Sequence, residues 1–204
     1  SRTVATTNMF TRLRRLGYLT GTTAGIVGNW RVGVYQYTVG DSTTNLGGFT
    51  YILRFGISDT TSVVSGARMF MGMRYSSTPS NVEPSTLTYC IGMGHGASDT
   101  TMHIYYGGSA AQTPIDLGSS FPSITTSTDV YELALFSPPN SGNVSWQVTR
   151  LNTGDVASGT ISNTGTTILP ANTTLLAPWG YRTNNATAAA VGVDIMSAYI
   201  ETDY

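Results

Sequence analysis

The feature that most constrains this chain is the period of its apolar residues. Segments of strand length follow one another, bounded by clusters of Gly, Pro, Asn, Asp and Ser, the punctuation of an antiparallel β-protein. In 130–136, Tyr131, Leu133 and Leu135 share one face and Glu132 sits opposite. In 144–151, Val144, Trp146 and Val148 alternate with Ser145, Gln147 and Thr149. Between them, Ser137-Pro-Pro-Asn-Ser-Gly142 reads only as a turn or loop, and Asn152-Thr-Gly154 closes a second tight connection. Three consecutive antiparallel strands over 130–161 are therefore predicted. Further strands are predicted over 32–39, 49–55, 68–75, 87–93, 102–106, 174–179 and 189–201, with the third strand of the meander at 156–161. Many short strands between turn signals point to an all-β, antiparallel β-sandwich of jelly-roll, lectin-like character.

Composition agrees. Charged residues make up 10% of the chain, all ten basic residues are Arg, and there are 23 Gly. Helical surfaces draw on Glu, Lys, Gln and Ala, whereas Thr and Val suit a pleated, half-buried strand. A net charge of −1 gives no bulk attraction to nucleic acid or to an anionic membrane, so neither is expected as a partner. No apolar run approaches the roughly 18 residues that would span a bilayer. Cys90, the one cysteine, lies between Tyr89 and Ile91 and reads as a small buried hydrophobe. The absence of an initiator Met predicts a fragment of something longer.

The first 20 residues stand apart. Met9, Phe10, Leu13 and Leu16 recur at helical spacing with Thr11, Arg12, Arg14 and Arg15 on the other side, and Gly17 is a plausible stop. One short N-terminal helix is predicted. Its Arg cluster reads as a solvated face or as a contact with acidic groups of a neighbouring subunit. The segment 1–20 is taken as a connecting piece and 21–204 as the sandwich.

For chemistry, the two His residues come first. His95 lies in the Gly-rich stretch Gly92-Met-Gly-His-Gly-Ala-Ser-Asp99, near Ser98 and Asp99, but the Gly-x-Ser-x-Gly elbow of serine hydrolases is absent. The stretch reads as a structural turn, and His103 as a packed or surface strand residue. No cluster of His, Cys or carboxylate residues has metal-ligand spacing, and the eleven acidic residues are scattered. No enzyme activity, metal or cofactor is expected. The 12 Tyr and 3 Trp are more suggestive, because each presents an apolar face with a polar edge. Trp179, Tyr181, Arg182 and Asn184 form one set able to stack on and hydrogen-bond a sugar, or else merely order the end of a strand. Trp30 and Tyr75 stand behind them as ligand-binding candidates.

Several segments together resemble phage tail-fibre and tailspike-like proteins in their C-terminal receptor-binding region. They are Thr11-Arg-Leu-Arg-Arg-Leu-Gly-Tyr18, Asn81-Val-Glu-Pro-Ser-Thr-Leu87, Ile91-Gly-Met-Gly-His-Gly-Ala-Ser-Asp99 and Ile115-Asp-Leu-Gly118. Asp129-Val-Tyr-Glu-Leu-Ala-Leu-Phe136, Val148-Thr-Arg-Leu-Asn-Thr-Gly154, and Arg182-Thr-Asn-Asn-Ala-Thr187 through Tyr199-Ile-Glu-Thr-Asp203 complete the set. The resemblance implies the distal part of a virion fibre that forms homotrimers. It would recognise bacterial surface polysaccharide, either capsule or lipopolysaccharide, during host attachment, and the segment 1–20 would join it to the fibre shaft. A capsule-degrading depolymerase and a purely structural fibre segment are the alternatives.

Overall fold

In the computed structural model, which describes residues 1–60, 62–76, 78 and 81–202, the alternating segments pair into two six-stranded antiparallel sheets. The strands are β1 (Leu16–Leu19), β2 (Val27–Arg31), β3 (Phe49–Ile57), β4 (Arg68–Arg74), β5 (Cys90–His95) and β6 (His103–Gly107). They continue with β7 (Ile115–Asp116), β8 (Tyr131–Ser137), β9 (Val144–Arg150), β10 (Asp155–Ile161), β11 (Ala177–Thr183) and β12 (Gly192–Thr202). One sheet runs β1-β12-β3-β8-β9-β10 and the other β2-β11-β4-β5-β6-β7. The expected meander is present, with Leu133 opposite Val148 and Leu135 opposite Trp146. Trp146 in turn faces Gly159 across β9 and β10.

The core lies between the sheets. Phe49, Tyr51, Leu53, Phe55 and Ile57 of β3 face the second sheet's Met69, Met71, Met73, Ile91 and Met93, all buried. Each such side chain contributes roughly 1.5–3 kcal/mol on leaving water. A second apolar cluster, of Phe70, Leu87, Cys90, Tyr105, Trp179 and Tyr181, covers the opposite face of the second sheet. That sheet is therefore apolar on both sides, which a half-buried strand is not. The outer cluster is roofed by the 81–89 segment, which includes a single 3-10 turn, Pro84–Thr86. The Tyr181 hydroxyl donates to the Val82 carbonyl at 2.7 Å, tying the roof to β11. Cys90 is buried as expected, and burial pushes its thiol up to about 12.

Several expectations are corrected. Residues 32–39 form no strand; the strand precedes them as β2, and a lone bridge between Tyr37 and Leu176 remains. Val32 and Val34 are exposed there and Gly33 interrupts them, so their alternation has no core to face. The strand expected at 87–93 starts at Cys90, because Tyr89 adopts a left-handed φ of 49° that ends the preceding segment. The strand expected at 174–179 is shifted to Ala177–Thr183, where β2 and β4 flank it.

The N-terminal helix is one turn only, α1 (Met9–Arg12), opened by a capping box between Asn8 and Thr11. Leu13 turns extended, and Leu16–Leu19 becomes β1 because the eleven-residue β12 offers it an unpaired edge, with Leu16 opposite Ile195. The apolar spacing is used differently from a helical stripe: Phe10 is buried and Leu16 is exposed. Phe10 seats against Gly56, where any Cβ would stand 2.7 Å from its ring. The Arg15 guanidinium lies 5.0 Å above the same ring. Arg15 does meet an acidic group, but in its own chain: its Nε donates to buried Asp194 at 2.9 Å, and Arg2 reaches the same carboxylate at 3.3 Å.

Candidate functional site

A cleft of about 330 Å³ opens on the outer face of the second sheet, beside the roof. Its floor is β6, where alternation sends His103 and Tyr105 to the same side, their rings 5.9 Å apart. One wall is the turn 96–99, and the other carries Glu83 and Ser85 from the roof. Asp99 organises the turn: its Oδ2 accepts the Gly96 N–H at 2.7 Å and the Tyr105 hydroxyl at 2.9 Å. His103 Nδ1 lies 3.6 Å from that oxygen. Glu83 braces the same turn, taking the Ala97 N–H at 3.2 Å and pairing with Arg68 at 2.8 Å. Gly96 lets both carboxylates close in on the turn: a Cβ there would stand 2.7 Å from Glu83 Oε2 and 3.0 Å from Asp99 Oδ2, and the Glu83 side chain would have to shift.

Asp116 approaches from β7, 3.9 Å from His103 Nε2. Its carboxyl is held below the usual carboxylate range by the Gly118 N–H and the Thr101 hydroxyl. Burial, reinforced by the Asp99 carboxylate, raises the Tyr105 phenol and keeps it protonated. The cleft thus offers anchored carboxylates and the part-exposed His103 imidazole for hydroxyl groups, while Tyr105, 3% exposed, belongs to the outer apolar cluster and serves to hold Asp99. Among the described residues, no three His, Cys, Asp or Glu side chains gather as a metal site.

The residues singled out in the sequence fall elsewhere. Trp179, Tyr181, Arg182 and Asn184 are each 0–1% exposed, so the expectation that they form an exposed sugar-gripping set is corrected. Trp179 and Tyr181 lie under the roof, Trp179 capped by the Arg74 guanidinium at 4.7 Å. Arg182 points to the other side of β11, where it forms a fully buried pair with Asp59, and its Nη1 donates to His95 Nε2 at 2.9 Å. Asn184 uses its amide on the Thr23 and Ala189 carbonyls. Tyr75 is exposed, 5.7 Å from Tyr35 and 6.2 Å from Tyr89. Trp30 is half-buried and lines a different cleft.

His95 is not in a turn; it is the last residue of β5, and the turn begins at Gly96. No nucleophile–base pattern marks the cleft's own residues in the sequence. The signal was the spacing: Asp99, His103 and Tyr105 put two rings on one strand face next to the turn carboxylate.

No protein-family model matches the sequence, and no curated protein matches it. Solved structures do. A peanut lectin bound to a nonapeptide superposes with a TM-score of 0.59 at 13% identity, over 92% of this chain and 85% of that one. Lectin II from Ulex europaeus gives 0.57 at 14%, over 87% and 82%. A family 7 alginate lyase in complex with substrate gives 0.52 at 12%, over 92% and 78%. The likeness is one of fold, and by it the chain is a jelly-roll sandwich of the lectin-like kind.

Proposed function

We propose that this chain is a glycan-binding module that holds bacterial surface polysaccharide without cleaving it, as the receptor-binding end of a phage tail fibre. The observation that carries the binding reading is the cleft of Asp99, His103 and Tyr105, in a fold shared with lectins. Its anchored carboxylates and the part-exposed His103 ring match the hydroxyls of a sugar. The fibre, the virion location and the role of residues 1–20 as a link to the shaft rest on the sequence resemblance. The number three rests on the sequence resemblance, and self-association itself is supported by apolar side chains left on the outer face of the first sheet. Phe136, Val156 and Tyr199 are 44–57% exposed there. Light scattering is expected to report a trimer, and a stable monomer at micromolar concentration would remove that part of the proposal.

A single shallow site of this kind binds weakly, since each hydrogen bond nets about 1 kcal/mol. Three copies on one tip would raise avidity by roughly 10²–10⁴. Adsorption to encapsulated cells is expected to fall at least about tenfold in Asp99→Asn and His103→Ala, with capsule-stripped cells as the reference. Equal adsorption to stripped and intact cells would refute glycan recognition.

The depolymerase reading draws first on an alginate lyase that shares the fold. The cleft also has two carboxylates beside Gly96. Against it, both carboxylates are engaged by N–H donors, and Tyr105 is held protonated and donates to Asp99, so it is not available as a base. Release of reducing ends from purified capsule would reverse this choice.

A further inference from the structure

The cleft that Trp30 lines is separate from the one above and larger, about 540 Å³. It lies where β1 and β12 of the first sheet come beside β2 of the second. The Trp30 ring packs partly against the main core, and its remaining surface faces the cleft. The β12 ladder slips between Ile195 and Ser197, a bulge that frees Met196 from the register and gives the cleft an apolar wall with Leu16.

Charge at this cleft is one-sided. Arg2, Arg14 and Arg15 line it, while Asp194 is the carboxylate that Arg2 and Arg15 share. Arg14 is exposed and has no hydrogen-bond or ion-pair partner among the described residues. The surplus is positive, next to an indole face. A planar guanidinium pairs with a carboxylate, and an indole stacks on the C–H face of a pyranose.

We infer that this cleft is a second glycan site, selective for a sugar unit that carries a carboxylate, with Trp30 as the stacking surface and Arg14 as the anion partner. It rests on the reading that the chain binds glycans but uses a different cleft from Asp99 and His103. An uncharged hexose would leave Arg14 unpaired and gain only the stacking contact, so the site discriminates by charge.

The test uses the protein's own fluorescence. Trp146 and Trp179 are 7% and 1% exposed, which leaves Trp30 as the indole open to a ligand. Titration with sodium glucuronate is expected to change the emission saturably, with glucose and sodium acetate each at least about tenfold weaker. Arg14→Gln is expected to weaken glucuronate about tenfold, Trp30→Phe to remove the signal, and His103→Ala to leave it unchanged. Equal responses to glucuronate and glucose would overturn the charge selectivity, and an equal response to acetate would reduce the site to general anion binding. If His103→Ala abolished glucuronate binding while Arg14→Gln did not, the acidic sugar would sit in the first cleft and this inference would fail. Loss of adsorption in the Asp99 and His103 variants with an intact Trp30 response would separate the two sites.

Discussion

Replacing Asp59 by Ala is expected to destabilise the fold by about 3–5 kcal/mol, on the order of 10 °C in Tm for a chain of this length. Asp59 is paired with Arg182, and both side chains are 0% exposed. The Arg182 Nε donates to Asp59 Oδ1 at 2.8 Å, and Nη2 donates to Oδ2. The same carboxylate accepts the Gly192 N–H at 2.9 Å and the Val64 N–H at 3.0 Å. One carboxylate thus joins the chain just after β3, the start of β12, the loop before β4 and the end of β11. Removing it leaves a buried guanidinium without its counter-charge and two backbone donors without acceptors, which costs far more than the pair gains over water. The exposed pair Arg54–Glu132 is the control: its Nε–Oε2 contact is as close, at 2.6 Å, but Arg54 is 47% exposed. Arg54→Ala is expected to cost under about 1 kcal/mol. Thermal and denaturant unfolding measure both, and a loss in Asp59→Ala no larger than that of Arg54→Ala would refute the clamp.

Stability is expected to fall by roughly 3 kcal/mol as pH drops from 6.5 to about 4, through one residue. His95 has its pKa lowered to about 4, first by burial and then by the Arg182 guanidinium, with Asp59, Asp99 and the Gly96 carbonyl opposing more weakly. Arg182 donates to Nε2, so the proton of the neutral ring sits on Nδ1, which donates to the Gly96 carbonyl at 3.0 Å. The unfolded chain takes up a proton at this residue below pH 6.5, whereas the folded chain resists it until about pH 4. Within that window the unfolded state binds more protons, so acid favours unfolding; above 6.5 and below about 4 the residue contributes no slope. His95→Gln, which can still accept from Arg182, is expected to flatten the window while lowering stability at neutral pH. An unchanged slope in that variant would show that another group carries the acid sensitivity.

Period-two alternation of the kind in Leu133, Leu135, Trp146 and Val148 is a local property, and it determined that the chain is a sandwich and where its meander lies. The apolar neighbours Tyr89 and Ile91 likewise marked Cys90 as a small buried hydrophobe. Alternation shows that a strand has two faces, and it does not show whether something remote covers the second one. Trp179 and Tyr181 each present an apolar face with a polar edge, which suits a sugar as well as a core. They are buried because residues 81–89, about a hundred positions away, fold across that face. Arg182 carries a charge that composition assigns to the surface, and only the meeting of Asp59, His95 and β11 makes it an interior residue.

The N-terminus shows the same division. The spacing of Met9, Phe10, Leu13 and Leu16 suits a helix, and the Asn8 cap starts one. A one-turn helix has little stability of its own, so the open edge of β12 decides the rest and draws Leu16–Leu19 into the sheet. The cleft of Asp99, His103 and Tyr105 was half legible: the strand alternation puts the two rings on one face. Its second wall, Glu83 and Ser85, arrives with the roof. Short-range pattern therefore determined the elements and which of their faces are apolar. Only tertiary structure decided which polar residues are inside and where a ligand fits, because both depend on what long-range contacts bring to the other side of a strand.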